Sequence, residues 1–348
     1  MVTDRPPAKL LAAALLAIAL TLPGCASRPA GTRQITTGDG ASLSVTKVEL
    51  PYRACDKPQK VGESIYLVVS RGEDKGSSIV RYDPLRRKAE TIVETTDPQL
   101  IGWFVVNDEW LVWSVEQELF ARRLRTGEQQ LLSTSRDLCA PALRGDLVAW
   151  DGLTKERTHQ MVVRDLASGV TTAIAPVVLA DLYNNFPAWD GRRLVWTDVI
   201  DGMGVYRSYD SSTGVVADHE ITQDDFRYPG YAQAAGERIY SINFDRVDEW
   251  DWGVQRLGYF SAVAKRFVPI VPEGFVANSL VVAGGLVAVV DSEQELTVRA
   301  ADEPHGAVYR PVRGRVDFVQ ASSDGTLIAW REAANETGRC LLFLIERH

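Results

Sequence analysis

The chain has 348 residues, 45% of them hydrophobic and 24% charged, and its 46 acids against 38 bases give a formal net charge of -8. That composition supports a sizeable folded core and excludes intrinsic disorder as an overall description. The acidic balance also removes the basic surface that binding to nucleic acid requires. Four His, four Cys and three Met leave few metal ligands or nucleophiles, so neither a metal nor a cofactor is expected.

Asp4, Arg5 and Lys9 open the chain, and an apolar run from Leu10 to Leu22 follows. Its length suits the core of an export signal and is short for a membrane span. The run ends in Leu22-Pro23-Gly24-Cys25, which resembles the bacterial lipobox, where the Cys is lipidated and becomes the new N-terminus. The resemblance implies a signal peptide over residues 1–24, lipidation at Cys25 and membrane attachment through the lipid alone. Ala26 and Ser27 are not the Asp that signals inner-membrane retention in many lipoproteins, so the outer membrane is the implied destination. Residues 25–42, rich in Gly, Thr, Arg and Ala without periodicity, read as a tether.

From residue 43 a repeat organises the chain. A small turn followed by a short hydrophobic strand recurs seven times, anchored at Gly62, Asp108, Gly145, Gly191, Gly236, Gly284 and Gly325, at spacings of 46, 37, 46, 45, 48 and 41 residues. Each interval holds four strands and their turns, the content of one propeller blade. Trp113, Trp150, Trp196 and Trp330 fall five places after their anchors, so one bulky ring is expected at one recurring position. Thr126-Gly127, Ser168-Gly169 and Thr213-Gly214 mark a second hairpin in three of the repeats. No ten-residue stretch after the leader carries the helical period, and an all-β domain over residues 43–348 is expected.

Pro187-Ala-Trp-Asp-Gly191-Arg-Arg-Leu-Val-Trp196 and Ser322-Ser-Asp-Gly325-Thr-Leu-Ile-Ala-Trp330 resemble the repeat of TolB-like periplasmic β-propellers. The other five copies keep the turn and strand without the Pro-Asp-Gly. The resemblance implies the propeller fold and no partner or functional residue, because the mixed domain that precedes the propeller of TolB itself has no counterpart here. The last repeat ends after its third strand, while an orphan strand with Leu43, Val45, Val48 and Leu50 precedes the first. That strand is expected to fill the outer position of the last blade and close a seven-bladed ring. Six blades remain the alternative if the first repeat, with Pro58 in its inner strand, is incomplete.

With Cys25 given to lipid, Cys55, Cys139 and Cys340 remain in a compartment where disulfides form. Cys55 and Cys139 precede their turns by seven and six residues and are the candidate bridge, which leaves Cys340 a buried thiol. The loops that lead into inner strands hold Asp97, Asp137, Asp181, Asp225, Glu273 and Asp317. A shared rim of these acids makes a negative channel mouth that attracts cations or basic peptides, with Tyr183, Phe186, Phe226, Arg227, Tyr228 and Phe275 as recognition anchors on the same face. Trp250 and Trp252, in the longest polar insertion, are a candidate exposed contact. The four His are read as loop, turn or terminal residues, and no local motif of a hydrolase, phosphate-binding loop or metalloenzyme occurs.

The expectation is therefore a monomeric, non-catalytic, lipid-anchored propeller of the cell envelope that binds a protein or an envelope polymer. The alternative is an envelope hydrolase or lyase acting on a saccharide or peptide at the channel mouth, because two acids brought together in space leave no local signature.

Overall fold

The computed structural model describes residues 32–36, 41–52, 55–72, 75–134, 140–153, 158–177, 186–201, 203–221, 228–245, 253–331 and 339–348. Every regular element among them is a strand. Two strands precede the first repeat, β1 (Thr32–Thr36) and β2 (Ser42–Glu49). Seven antiparallel sheets then follow one another around a ring. Numbered from the channel outward, blade 1 is β3 (Asp56–Val61), β4 (Ser64–Ser70), β5 (Ser77–Asp83) and β6 (Lys88–Glu94). Blade 2 is β7 (Ile101–Val106), β8 (Trp110–Val115), β9 (Glu118–Arg123) and β10 (Gln129–Ser133). Blade 3 is β11 (Ala142–Arg144), β12 (Leu147–Leu153), β13 (His159–Asp165) and β14 (Thr171–Val177), and blade 4 is β15 (Ala188–Asp190), β16 (Arg193–Ile200), β17 (Met203–Asp210) and β18 (Val215–Glu220).

Blade 5 splits its inner strand into β19 (Tyr228–Pro229) and β20 (Gln233–Ala235), both paired to β21 (Arg238–Phe244), with β22 (Gln255–Ser261) and β23 (Arg266–Pro269) outside. Blade 6 has β24 (Ala277–Ala283), β25 (Leu286–Asp291) and β26 (Leu296–Ala300), and a bridge between Val298 and Tyr309 stands in the fourth position. Blade 7 comprises β27 (Phe318–Ala321), β28 (Leu327–Arg331) and β29 (Leu341–Arg347), completed by β2 and then β1. The N-terminal strand thus closes a seven-bladed propeller, with Leu43 opposite Arg347 and Glu49 opposite Leu341. The stretch read as a tether is corrected in part: Thr32–Thr36 pair with Thr46–Ser42 as a fifth strand. Residues 1–31, with the leader and Cys25, lie outside the described residues.

The first repeat is a complete blade. Its inner strand absorbs Pro58 in a bulge between Asp56 and Gln59, where Lys57 takes a φ of 49°; a bulge is where a residue without a backbone N–H is tolerated. The two-residue turns that anchor the repeats use Gly at the first central position, with φ of 53–59° at Gly62, Gly145, Gly191 and Gly236. A Cβ there meets nothing within 4 Å, so backbone conformation rather than space selects Gly.

The core lies between blades, one apolar cluster for each of the seven interfaces. Second strands are covered on both faces, which is why Trp110–Val115 is buried at every position. The recurring tryptophans are all buried, but their expected equivalence holds for three. Trp113, Trp150 and Trp196 pack toward the preceding blade, whereas Trp330 packs toward blade 1. Blade 7 spends three residues between Ser322 and Thr326 on its turn, and one extra residue turns every following side chain to the other face of a strand.

Candidate functional site

Inner strands of consecutive blades touch around a complete ring and enclose a channel of ≈ 1550 Å³ lined by all seven blades. One mouth is formed where loops feed the inner strands, the other where inner strands turn back into second strands. We call them the loop mouth and the turn mouth. Gln59 fastens the wall by accepting from Val106 N and donating to Phe104 O. Gln233 does the same across blades 5 and 6 with Val282 N and Leu280 O. Each amide satisfies one donor and one acceptor of a neighbouring inner strand.

At the loop mouth four blades contribute to one row. Lys57 Nζ sits 5.0 Å from the centre of the Trp103 ring, Trp103 lies 5.1 Å from Phe186 and Phe186 stacks 5.4 Å from Tyr231. Lys57 also pairs with Asp56. Each member stands five residues before its turn anchor. The regular blade therefore delivers equivalent side chains to one point on the axis. Tyr231 is 36% exposed, and Phe318, at the start of β27, is 52% exposed. The rings form a partly wet apolar platform rather than a sealed core.

The turn mouth has a different chemistry. Among the described residues the channel is lined by six carboxylates and two bases, and most of the carboxylates stand at the turns. Asp146 accepts from Trp110 Nε1 at 2.7 Å, Asp190 pairs with Arg193 at 3.2 Å, and Asp324 pairs with Lys60 at 2.9 Å. Burial pulls the Lys60 ammonium down, but Asp324 and Glu346 outweigh it and hold the group above the ordinary lysine value.

The expected acidic rim does not assemble from the residues that are described. Asp97 is bound to Arg71 at 2.6 Å and Glu273 to Arg256 at 2.9 Å, while Asp317 accepts from Gln294 at 3.4 Å. None of the three lines the channel, because each finds its partner in the blade that precedes the inner strand its loop feeds. Tyr228 is half-buried at the start of β19, opposite Phe244, and is not in the channel wall. Asp137, Cys139, Asp181, Tyr183, Asp225, Arg227, Trp250 and Trp252 lie outside the described residues.

The disulfide is corrected: Cys55 is bonded to Cys340, with Cα atoms 6.2 Å apart, and not to Cys139. Leu50 N donates to Cys340 O at 2.9 Å, so the closing strand itself carries Cys55 to the third strand of blade 7. Two of the histidines are also corrected, since His159 lies in β13 and His219 in β18. His159 bonds Asp151 at 3.2 Å, while His219 bonds Ser208 at 3.0 Å and is held below the usual imidazole range by burial and then by Arg193.

No protein family matches the sequence, and no curated protein does. Solved structures match in fold. An oligogalacturonate lyase in complex with manganese aligns at a TM-score of 0.58 and 12% identity, over 90% of this chain and 95% of that one. A prolyl endopeptidase aligns at 0.58 and 12%, over 84% of this chain and 50% of that one. At these identities the likeness establishes the propeller. A putative TolB from Agrobacterium tumefaciens aligns at 0.49 and 12% over 78% and 98%, a score on which no argument rests.

Proposed function

We propose that this protein is a non-catalytic, lipid-anchored β-propeller of the bacterial cell envelope that binds a protein or an envelope polymer at its loop mouth. The observation that carries the reading is the row Lys57, Trp103, Phe186 and Tyr231, supplied by four blades to one partly exposed surface over the channel. Aromatic anchors gathered on a rigid concave scaffold are the usual basis of recognition. The export segment and Cys25 supply the address, with the outer membrane as destination and the lipid as sole membrane contact. The net charge argues against nucleic acid, and the working unit of the proposal is a monomer.

Photo-reactive residues placed singly at Tyr231, Phe318 and the far-side Val263 test this in cells. Adducts are expected at the first two positions and not at Val263. Equal yields at all three positions overturn the proposal, as does cleavage of the captured polymer by the purified protein. Loss of acyl labelling in Cys25→Ser checks the anchor.

A further inference from the structure

Two arginines are buried among the described residues, Arg207 and Arg299, at 9% and 7% exposed. Each lies on the third strand of its blade and reaches a carbonyl of the preceding blade, Arg207 Nη1 to Pro176 O and Arg299 Nη1 to Ile270 O, both at 2.8 Å. Their charges are met differently. Asp198 pairs with Arg207 Nη1 at 3.1 Å, and Asp218, directly opposite on the outer strand β18, takes its Nε at 2.8 Å. Arg299 has no carboxylate partner among the described residues. Its Nη1 serves Ile270 O and Pro304 O, while its Nε and Nη2 make no hydrogen bond to those residues. A buried guanidinium without a counter-charge is costly, and burial holds this one below the ordinary arginine range.

The difference follows from the fourth position of blade 6, where the returning chain pairs with β26 only at the bridge between Val298 and Tyr309. Continued by one residue, that antiparallel register places Val308, 48% exposed, where Asp218 faces Arg207. Unlike the Nε of Arg164, the Nε and Nη2 of Arg299 are not sealed from water, so this edge of the guanidinium opens to solvent between blades 5 and 6. The groups around it are committed elsewhere. Tyr240 Oη and Arg238 Nη1 both donate to Ala301 O, Asp302 is paired with Arg347 at 3.3 Å, and the Glu303 side chain lies against Gly306. One positive charge stays uncompensated, which suits a monoanion, and Nε with Nη2 present the two parallel donors that a planar carboxylate takes bidentately.

We infer that the open edge of Arg299 is a binding site for a carboxylate, brought by an acidic side chain of a partner or by a free monocarboxylate, in the role that Asp218 has for Arg207. The site is separate from the loop mouth and stands whether or not that mouth binds a partner.

The test follows denaturant unfolding of the full-length chain at fixed ionic strength, with chloride exchanged for acetate, for phosphate, or for a short peptide that carries a single Glu, beside the same peptide with Gln. Acetate and the Glu peptide are expected to shift the unfolding equilibrium toward the native chain in a saturable way, by about tenfold at about ten times the dissociation constant, and the Gln peptide to leave it unchanged. Val308→Asp, which supplies the carboxylate from the chain itself, is expected to be about tenfold more stable in that equilibrium and to lose the response to acetate. Arg299→Met is expected to lose the response as well, and if it does not fold, Val308→Asp alone decides. A Glu peptide that acts at far lower concentration than acetate assigns the carboxylate to a partner chain, and equal concentrations assign it to a free monocarboxylate. A larger effect of phosphate than of acetate overturns the inference. So does the absence of any effect beyond that of chloride, or an acetate response that Val308→Asp leaves intact. Photo-adducts at the loop mouth are expected to be the same under every one of these outcomes, which keeps the two proposals separable.

Discussion

The interface between blades 3 and 4 and the seam between blades 7 and 1 solve one packing problem in two ways. Among the described residues the first is held by side chains. Ala149, Met161 and Val163 meet Leu194 and a fully buried Trp196. Arg207 lies over the Trp196 ring at 5.7 Å, pairs with buried Asp198 at 3.1 Å and donates to Pro176 O of the neighbouring blade at 2.8 Å. The seam has comparable apolar packing, in which Ile65 and Leu67 meet Ile328, Trp330 and Leu342. It then adds further ties. Inside blade 7 the closing strand pairs along seven residues with β29, and across the seam Lys60 bridges to Asp324 and Glu346 at 2.9 and 3.0 Å and Cys55 is joined to Cys340 across 285 residues of sequence. A ring made from one chain is open at one place, here inside blade 7 between the N-terminal β2 and the C-terminal β29, and the ties accumulate beside that opening.

The comparison can be broken at either side. The largest effect is expected from Trp196→Ala, which empties a fully buried indole site and should cost about 3–5 kcal/mol in denaturant unfolding. A loss under about 1 kcal/mol would mean that the interface between blades 3 and 4 is not held by that ring. Next comes the double replacement Cys55→Ala/Cys340→Ala, expected to cost about 2–5 kcal/mol through release of a long loop in the unfolded chain. Trp196→Ala should respond to reducing agent as the native chain does, and the double variant should not respond. A native midpoint unmoved by reductant would remove the covalent tie from the comparison.

The smallest effect concerns the ionic tie. Lys60→Met should cost about 1 kcal/mol, because the pair is only partly shielded from water. The sign of its pH dependence follows from the raised ammonium. With the folded value above the ordinary 10.5, the contribution is fully present below 10.5 and is lost as the pH climbs through the folded value. Native and Lys60→Met unfolding curves should therefore converge in strong alkali, and a constant gap across that range would assign the cost to packing of the lysine stem instead.

How much of the molecule was legible varies with the range of the interaction. The Gly turns and the hydrophobic second strands are local, and their spacing gave the blades. The unpaired strand at Leu43–Leu50 even announced the closure. The disulfide was within reach of the same reasoning: with Glu49 set opposite Leu341, Cys55 follows the closing strand by a few residues and comes near Cys340. The loop-mouth row was also written in the repeat, since Lys57, Trp103, Phe186 and Tyr231 share one offset before the turn. That signal was obscured by the more conspicuous acids of the preceding loops. Asp97 and Glu273 could not be assigned from sequence, because whether a loop carboxylate faces the axis or an arginine of the preceding blade depends on side-chain directions outside any local pattern.

By itself the sequence determined the repeating unit, its strand order and the need for an outside strand to complete the last blade, because turn conformation and two-residue alternation act over a few residues. Only the tertiary structure decided that Trp330 faces the opposite neighbour from its counterparts, that Cys55 meets Cys340, and that three rings and a lysine from four blades share one mouth. Those outcomes depend on ring closure and on the length of a single turn, which set distances between residues far apart in the chain.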